Sequence, residues 1–265
     1  MTDRQVRGEQ VPAGHSLDAF HRGRFVLVQP TRGHRAGMDA LVLAAALPGA
    51  FSGRVADLGA GAGAAGLAVL SRCPAATALL VEREPVMADA ARLTLARAEN
   101  RAFASRAEVL AADVELASPA RTTAGLVNSS ADAVIMNPPF NAPDDRASAD
   151  PLRSGAHVLK PGLIEAWVRT AAAIARPGGW FAMIARPASL GEALAAVEGR
   201  FGAIELLGVH PRPAEAAIRF VIRARKGSRA ALKFAPPLVL HGPDGNGFSP
   251  RTDDILNGRA VLFEA

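Results

Sequence analysis

The run Asp57-Leu-Gly-Ala-Gly-Ala-Gly63 joins a short apolar segment to a helical one, and few folds accommodate that junction. Glycines at 59, 61 and 63 carry no Cβ, so the backbone can turn sharply there and approach a ligand closely. The helix behind the turn offers its free N-terminal N–H groups to the same ligand. Strand–helix units then repeat. Arg54–Leu58, Ala78–Glu82, Ala107–Leu110, Ala133–Met136 and Trp180–Ala185 read as buried strands. Helices are expected over Ala64–Ser71, from Pro85 to about Glu99, from Pro161 to Arg176, and from Ser189 to about Phe201. The final strands, Ile204–Val209 and Ile218–Ala224, are joined by a loop too short for a helix, so they should pair antiparallel. The pattern predicts an α/β, Rossmann-like fold: a mostly parallel seven-stranded sheet with an antiparallel last strand and helices on both faces. Ligands then bind beyond the carboxyl ends of the first four strands, where Gly59 to Gly63, Glu82, Asp113 and Asn137 stand.

Upstream, the first 20 or so residues are polar and read as a weakly ordered arm. Phe25–Gln29 reads as a strand, and Asp39 as the cap of a helix over Ala40–Leu47. Residues 1–50 are expected to form an arm and cofactor-covering segment, 51–235 the catalytic domain, and 236–265 an extension packed on it. The 265 residues can bury a sizeable core. No apolar run approaches the ~20 residues of a membrane span, and no secretion signal is apparent, so a monomeric cytoplasmic enzyme is expected. The single cysteine, Cys73, excludes an internal disulfide or a cysteine zinc cluster, and the six histidines lack metal-ligand spacing. A net charge of +5 fits a polyanionic partner such as RNA, although arginine is scattered throughout the chain. The late basic group Arg219, Arg223, Arg225, Lys226 and Arg229 reads either as a grip on RNA or as a charged edge strand.

The glycine run also matches the dinucleotide pattern over Gly61 to Gly66, so by itself it does not choose between NAD and S-adenosylmethionine. Asp57 tips the balance: a carboxylate suits the amino group of the sulfonium cofactor and repels a pyrophosphate. Glu82 is placed to accept from both ribose hydroxyls, and Asp113 from the adenine amino group. Gly37 and Asp39 stand where a segment could close over the methionine end.

Asn137-Pro138-Pro139-Phe140 carries the most specific chemistry. An exocyclic base amine is a poor nucleophile because its lone pair is delocalised into the ring. The Asn137 side-chain carbonyl and the Pro138 backbone carbonyl would hold both N–H groups and draw the nitrogen toward tetrahedral geometry. Paired prolines fix the backbone that presents this carbonyl, and Phe140 would stack on the planar acceptor. Methyl transfer from S-adenosylmethionine to an amine is the reaction these residues describe.

At these positions the chain resembles the adenine-N6 methyltransferases of bacterial valine tRNA, which modify the purine beside the anticodon. The resemblance runs from about Val28 to Phe263 and includes Gly37-Met-Asp-Ala-Leu-Val-Leu43, the glycine run, Val81-Glu82, Ala112-Asp113 and Asn137 to Phe140. Its most family-specific piece is the tail Leu238-Val-Leu-His-Gly-Pro-Asp244. It implies a class I methyltransferase fold, S-adenosylmethionine as cofactor and tRNA as partner. It also implies cofactor contacts at Asp57, Gly59, Gly61, Glu82 and Asp113, with the substrate amine at Asn137 to Phe140. Family members often carry Tyr where Phe140 stands. Similar motifs occur in ribosomal-RNA guanine-N2 methyltransferases and in enzymes that methylate protein glutamine, and both acceptors stay open here. A non-catalytic RNA-binding protein on the same fold is the alternative outside enzymes.

Overall fold

The computed structural model describes residues 11–33, 35–139 and 161–263. The stretch Asn141–Gly155, rich in Pro, Asp, Arg and Ser, reads in sequence as a loop; it and Phe140 lie outside the described residues.

A central sheet is built from β3 (Gly53–Leu58), β4 (Ala76–Glu82), β5 (Ala107–Ala111), β6 (Ala131–Met136), β7 (Ala175–Ala185), β8 (Phe201–His210) and β9 (Arg219–Lys226). They lie in the order β5-β4-β3-β6-β7-β9-β8. Every pairing is parallel except those of β9, which runs antiparallel to β7 and to β8. The expected sheet and its antiparallel last strand are therefore present. Two two-residue strands, β10 (Lys233–Phe234) and β11 (Leu238–Val239), extend the β8 edge. The inner strands are apolar on successive residues: Ala133, Val134, Ile135 and Met136 of β6 are all buried. Continuous apolarity is what a strand covered on both faces requires.

On one face lie α1 (Met38–Ala44) and α2 (Ala64–Arg72), packed on Val55, Leu80 and Ile135. Residues from α4 (Leu163–Ile174) and α5 (Leu190–Val197) pack on the other face with Leu58, Val134 and Met136. The helix between them in sequence is α3 (Pro85–Ala96), and α6 (Pro250–Leu256) follows the sheet. Leu262 and Phe263 are buried in the same core as α1 and α2.

The described part of the amino-terminal arm is more structured than expected. Strand β1 (His15–Phe20) pairs antiparallel with β2 (Phe25–Pro30), with Leu17 opposite Val28. The Val26 and Val28 N–H groups donate to Asn100 Oδ1 at 3.0 Å and to Thr94 Oγ1 at 2.9 Å. Side chains thereby satisfy backbone donors that would otherwise sit buried and unpaired. Asp39 is not the cap of α1. Gly37 holds that position, and Asp39 lies in the first helical turn. Arg176-Pro-Gly-Gly179 is not a helix end either; α4 stops at Ile174 and these residues belong to β7.

The edge-strand reading of the late basic group does not hold, because β9 is an inner strand; Arg229 lies beyond it and is exposed. Arg219 pairs with Asp39 at 2.8 Å, and Lys226 donates to the Ala172 and Ala175 carbonyls. Arg225 lies 4.1 Å over the Trp180 ring. Arg223 is buried, 4.6 Å over the Phe263 ring and 5.0 Å over Trp180, and its guanidinium pairs with Glu205 at 2.6 Å. Replacing Arg223 by Ala should destabilise the fold by about 2–4 kcal/mol, through lost cation–π contact and a carboxylate left unpaired. Urea unfolding measures this. Lysine should recover little of the loss, since an ammonium cannot stack as a planar guanidinium does.

Candidate active site

Strands β3, β4, β5 and β6 end side by side, and two adjoining cavities open at those ends. The first, of about 320 Å³, is lined by Glu82, Asp113, Pro138, Pro139 and Trp167 among others. The second, of about 330 Å³, is lined by Gly37, Asp57 and Ala64 among others. Asp39, Gly59, Gly61, Met87, Asn137 and Arg219 line both. Gly63 lines neither. It sits at φ +93° as the residue capping α2, and a Cβ there would come within 2.9 Å of Leu80. A left-handed position of this kind favours glycine.

Two buried carboxylates hold the glycine turn. Asp57 Oδ2 accepts the Gly66 N–H at 2.8 Å. Glu82 Oε2 accepts the Gly61 N–H at 2.8 Å, and its Oε1 accepts that of Glu84 at 2.9 Å. Each Glu82 oxygen keeps a lone pair for a further donor. Asp113 Oδ1 accepts the Glu115 N–H at 2.8 Å, a local turn that leaves its other oxygen 3.8 Å from Arg83. Pro138 is buried, and Asn137 Oδ1 is buried without any hydrogen-bond partner. Such an orphan acceptor is rare in a finished core and points to a missing donor.

Burial pushes the Asp57 carboxyl up to about 7; the Gly66 N–H opposes the rise and the charge of Glu82 adds to it. His21, at the other end of α2, moves in the opposite sense. Burial first, then Arg72 and Arg24, lowers it to about 4.

These groups fit S-adenosylmethionine. Carboxylates at Asp39, Glu82, Glu84, Asp113 and Glu115 line the cavities, which suits a sulfonium, an ammonium and ribose hydroxyl donors. They would repel a pyrophosphate. The glycine turn also leaves room only for backbone, since a Cβ at Gly59 would lie 2.5 Å from Trp167 Cη2. Among the described residues, no group of three His, Cys, Asp or Glu is arranged to hold a metal ion. Nor is any helix there long and apolar enough to cross a membrane.

Arg219, Arg186, Met87 and Trp167 line the site without having been expected there. Arg219 opens the antiparallel strand, so topology alone would have put it at the carboxyl edge of the sheet. Trp167 reads in sequence as an ordinary core residue.

Fold and site together define a Rossmann-like methyltransferase that uses S-adenosylmethionine. The sequence matches the methyltransferase small domain over residues 36–209, and the chain belongs to that family. Protein Atu636 from Agrobacterium tumefaciens, crystallised as a predicted O-methyltransferase, is 44% identical with a TM-score of 0.74. The match covers 84% of this chain and 98% of that one. Two more distant structures share the fold. The 16S rRNA N2 G1207 methyltransferase RsmC of T. thermophilus, in complex with AdoMet and guanosine, has a TM-score of 0.56 at 22% identity, over 82% of this chain and 52% of its own. The type I restriction-modification methyltransferase subunit of Streptococcus thermophilus has 0.57 at 17%, over 86% and 53%. This chain thus spans about half of each of those two. A search of curated proteins finds no match.

The raised Asp57 carboxyl has a measurable consequence. Between about pH 4 and 7 the folded chain retains a proton that the unfolded chain releases, so this group makes stability fall as pH rises through that window. Histidine 21 contributes the reverse slope between about pH 4 and 6.5, because there the unfolded state binds the extra proton. Asp57→Asn keeps an oxygen for the Gly66 N–H but cannot ionise. Relative to wild type, it should therefore gain stability from pH 4 to pH 8 in urea unfolding. A constant difference between the two proteins would refute the assignment.

Proposed function

We propose that this enzyme methylates the exocyclic N6 amine of an adenine in tRNA, with valine tRNA beside the anticodon as the first candidate. The observation that carries an amine acceptor is the buried, unpartnered Asn137 Oδ1 at the start of a paired-proline turn, lining both cavities. The cofactor supplies the electrophilic methyl group. Asn137 Oδ1 accepts one amine N–H and the Pro138 carbonyl the other, which draws the nitrogen lone pair out of the ring. Pro138 and Pro139 hold this pair of acceptors at little entropic cost. Once the new C–N bond has formed, the surplus proton leaves the nitrogen for water, so no strong base is required. Phe140 stacks on the acceptor ring.

On the cofactor side, Glu82 takes the ribose hydroxyls and Asp113 the adenine amine. Gly59, Gly61 and Gly63 shape the turn beside the methionine portion, with Asp57 behind it. Gly37 and Asp39 cover that end, and Asp39 is already paired with Arg219. Residues 1–50 thus serve as a cover, 51–235 as the catalytic body and 236–265 as an extension. Adenine and tRNA rest on the resemblance of the Asn137–Phe140 motif and the 238–244 tail, supported by the net charge of +5. Guanine N2 of ribosomal RNA is the second reading, favoured by the fold shared with RsmC.

Labelled S-adenosylmethionine and unmodified total RNA, followed by nucleoside mass spectrometry, test the acceptor. N6-methyladenosine in the tRNA fraction is the expected product. N2-methylguanosine in ribosomal RNA would replace it with the second reading, and no methylated nucleoside would exclude both. Asn137→Ala should lower kcat by roughly 100-fold or more while the cofactor Kd changes little, because the loss falls on aligning the amine. Glu82→Ala should weaken cofactor binding roughly tenfold or more by calorimetry. An unchanged Kd would remove Glu82 from the ribose.

A further inference from the structure

The chemistry above uses one of the two buried polar side-chain atoms at the site that lack a partner. The other is the indole Nε1 of Trp167. An N–H buried without an acceptor is costly, and native structures keep few of them. Trp167 stands on α4 and is only 8% exposed. Its six-membered ring presses on the glycine turn, where a Cβ at Gly59 would lie 2.5 Å from Cη2 and 2.9 Å from Cζ3. Three residues on, along the same helix face, Thr170 donates its hydroxyl proton to the Val114 carbonyl at 2.8 Å. The helix that carries the indole is thereby tied to the segment after β5, while the ring itself abuts the end of β3. Trp167 lines the cavity shared with Glu82 and Asp113, and does not line the one beside Gly37.

A rigid donor without a partner, on a side chain that lines that half of the site, suits a ligand bearing ring nitrogens or ribose oxygens. We propose that Trp167 is a cofactor-binding residue: its indole N–H donates to an acceptor on the adenosine portion of S-adenosylmethionine, while its six-membered ring holds Gly59 in place. The proposal rests on the cofactor alone and is independent of which amine receives the methyl group.

The test compares wild type with Trp167→Phe, which keeps an aromatic ring and deletes the donor. Calorimetric titration with S-adenosylhomocysteine, the demethylated product, should give roughly 5- to 10-fold weaker binding in the variant, the effect of one lost hydrogen bond. Free adenosine should lose affinity by the same factor and free methionine should not. A second measurement leaves Trp167 native. The chain has two tryptophans, so in Trp180→Phe the emission comes from Trp167 alone and should shift as S-adenosylhomocysteine binds. Wild-type affinity in Trp167→Phe, or emission indifferent to saturating ligand, would overturn the proposal. Equal weakening of adenosine and methionine would also overturn it, since that pattern marks a loosened glycine turn rather than a lost donor.

Discussion

The Glu82 carboxylate takes the Gly61 N–H on one oxygen and the Glu84 N–H on the other, and the rest of the site is arranged around that stitch. It locks the turn after β3 to the turn after β4. Asp57 does the same from within β3, by accepting the Gly66 N–H in the first turn of α2. Backbone N–H groups in a buried turn must find acceptors, and here anionic side chains provide them. The resulting turn is short of side-chain bulk and rich in nearby negative charge. That combination admits a cationic nucleoside derivative closely and disfavours phosphates.

Holding charge this deep has a physical cost, visible in the Asp57 carboxyl raised to about 7. Asp57 has the Gly66 N–H as a backbone donor, and desolvation outweighs it. A cationic group arriving beside Asp57 would favour its ionised form. Together with the carboxylates of Asp39, Glu82 and Asp113 that line the site, this biases the fold toward the positive charge of the cofactor that the methyltransferase family uses.

The basic residues of β9 illustrate the opposite outcome. Arg219, Arg223, Arg225 and Lys226 make a cationic stretch in sequence, yet each is engaged within the fold by a carboxylate, an aromatic ring or backbone carbonyls. Within β9, Arg223 is buried in the core, while Arg219, Arg225 and Lys226 are half-buried against these partners. Net charge is a property of composition; where the charge is available for a partner is a property of packing.

The sequence by itself determined the order of strands and helices, the antiparallel last strand, and the residues standing at the ends of the first four strands. Each of these follows from short-range rules: apolar periodicity, proline and glycine stops, and a connection too short to hold a helix. Tertiary structure alone decided the rest. Strand β1 exists because β2 presents an edge to it, although half of its own residues are polar. Asp39 reads locally as a helix cap, but Arg219, 180 positions away, claims its carboxylate. Trp167 reads as core, and only its contact with Gly59 and its unpartnered N–H set it apart. Pairings between distant segments leave no periodic trace in either one, because each partner satisfies its local rules whether or not the other is present.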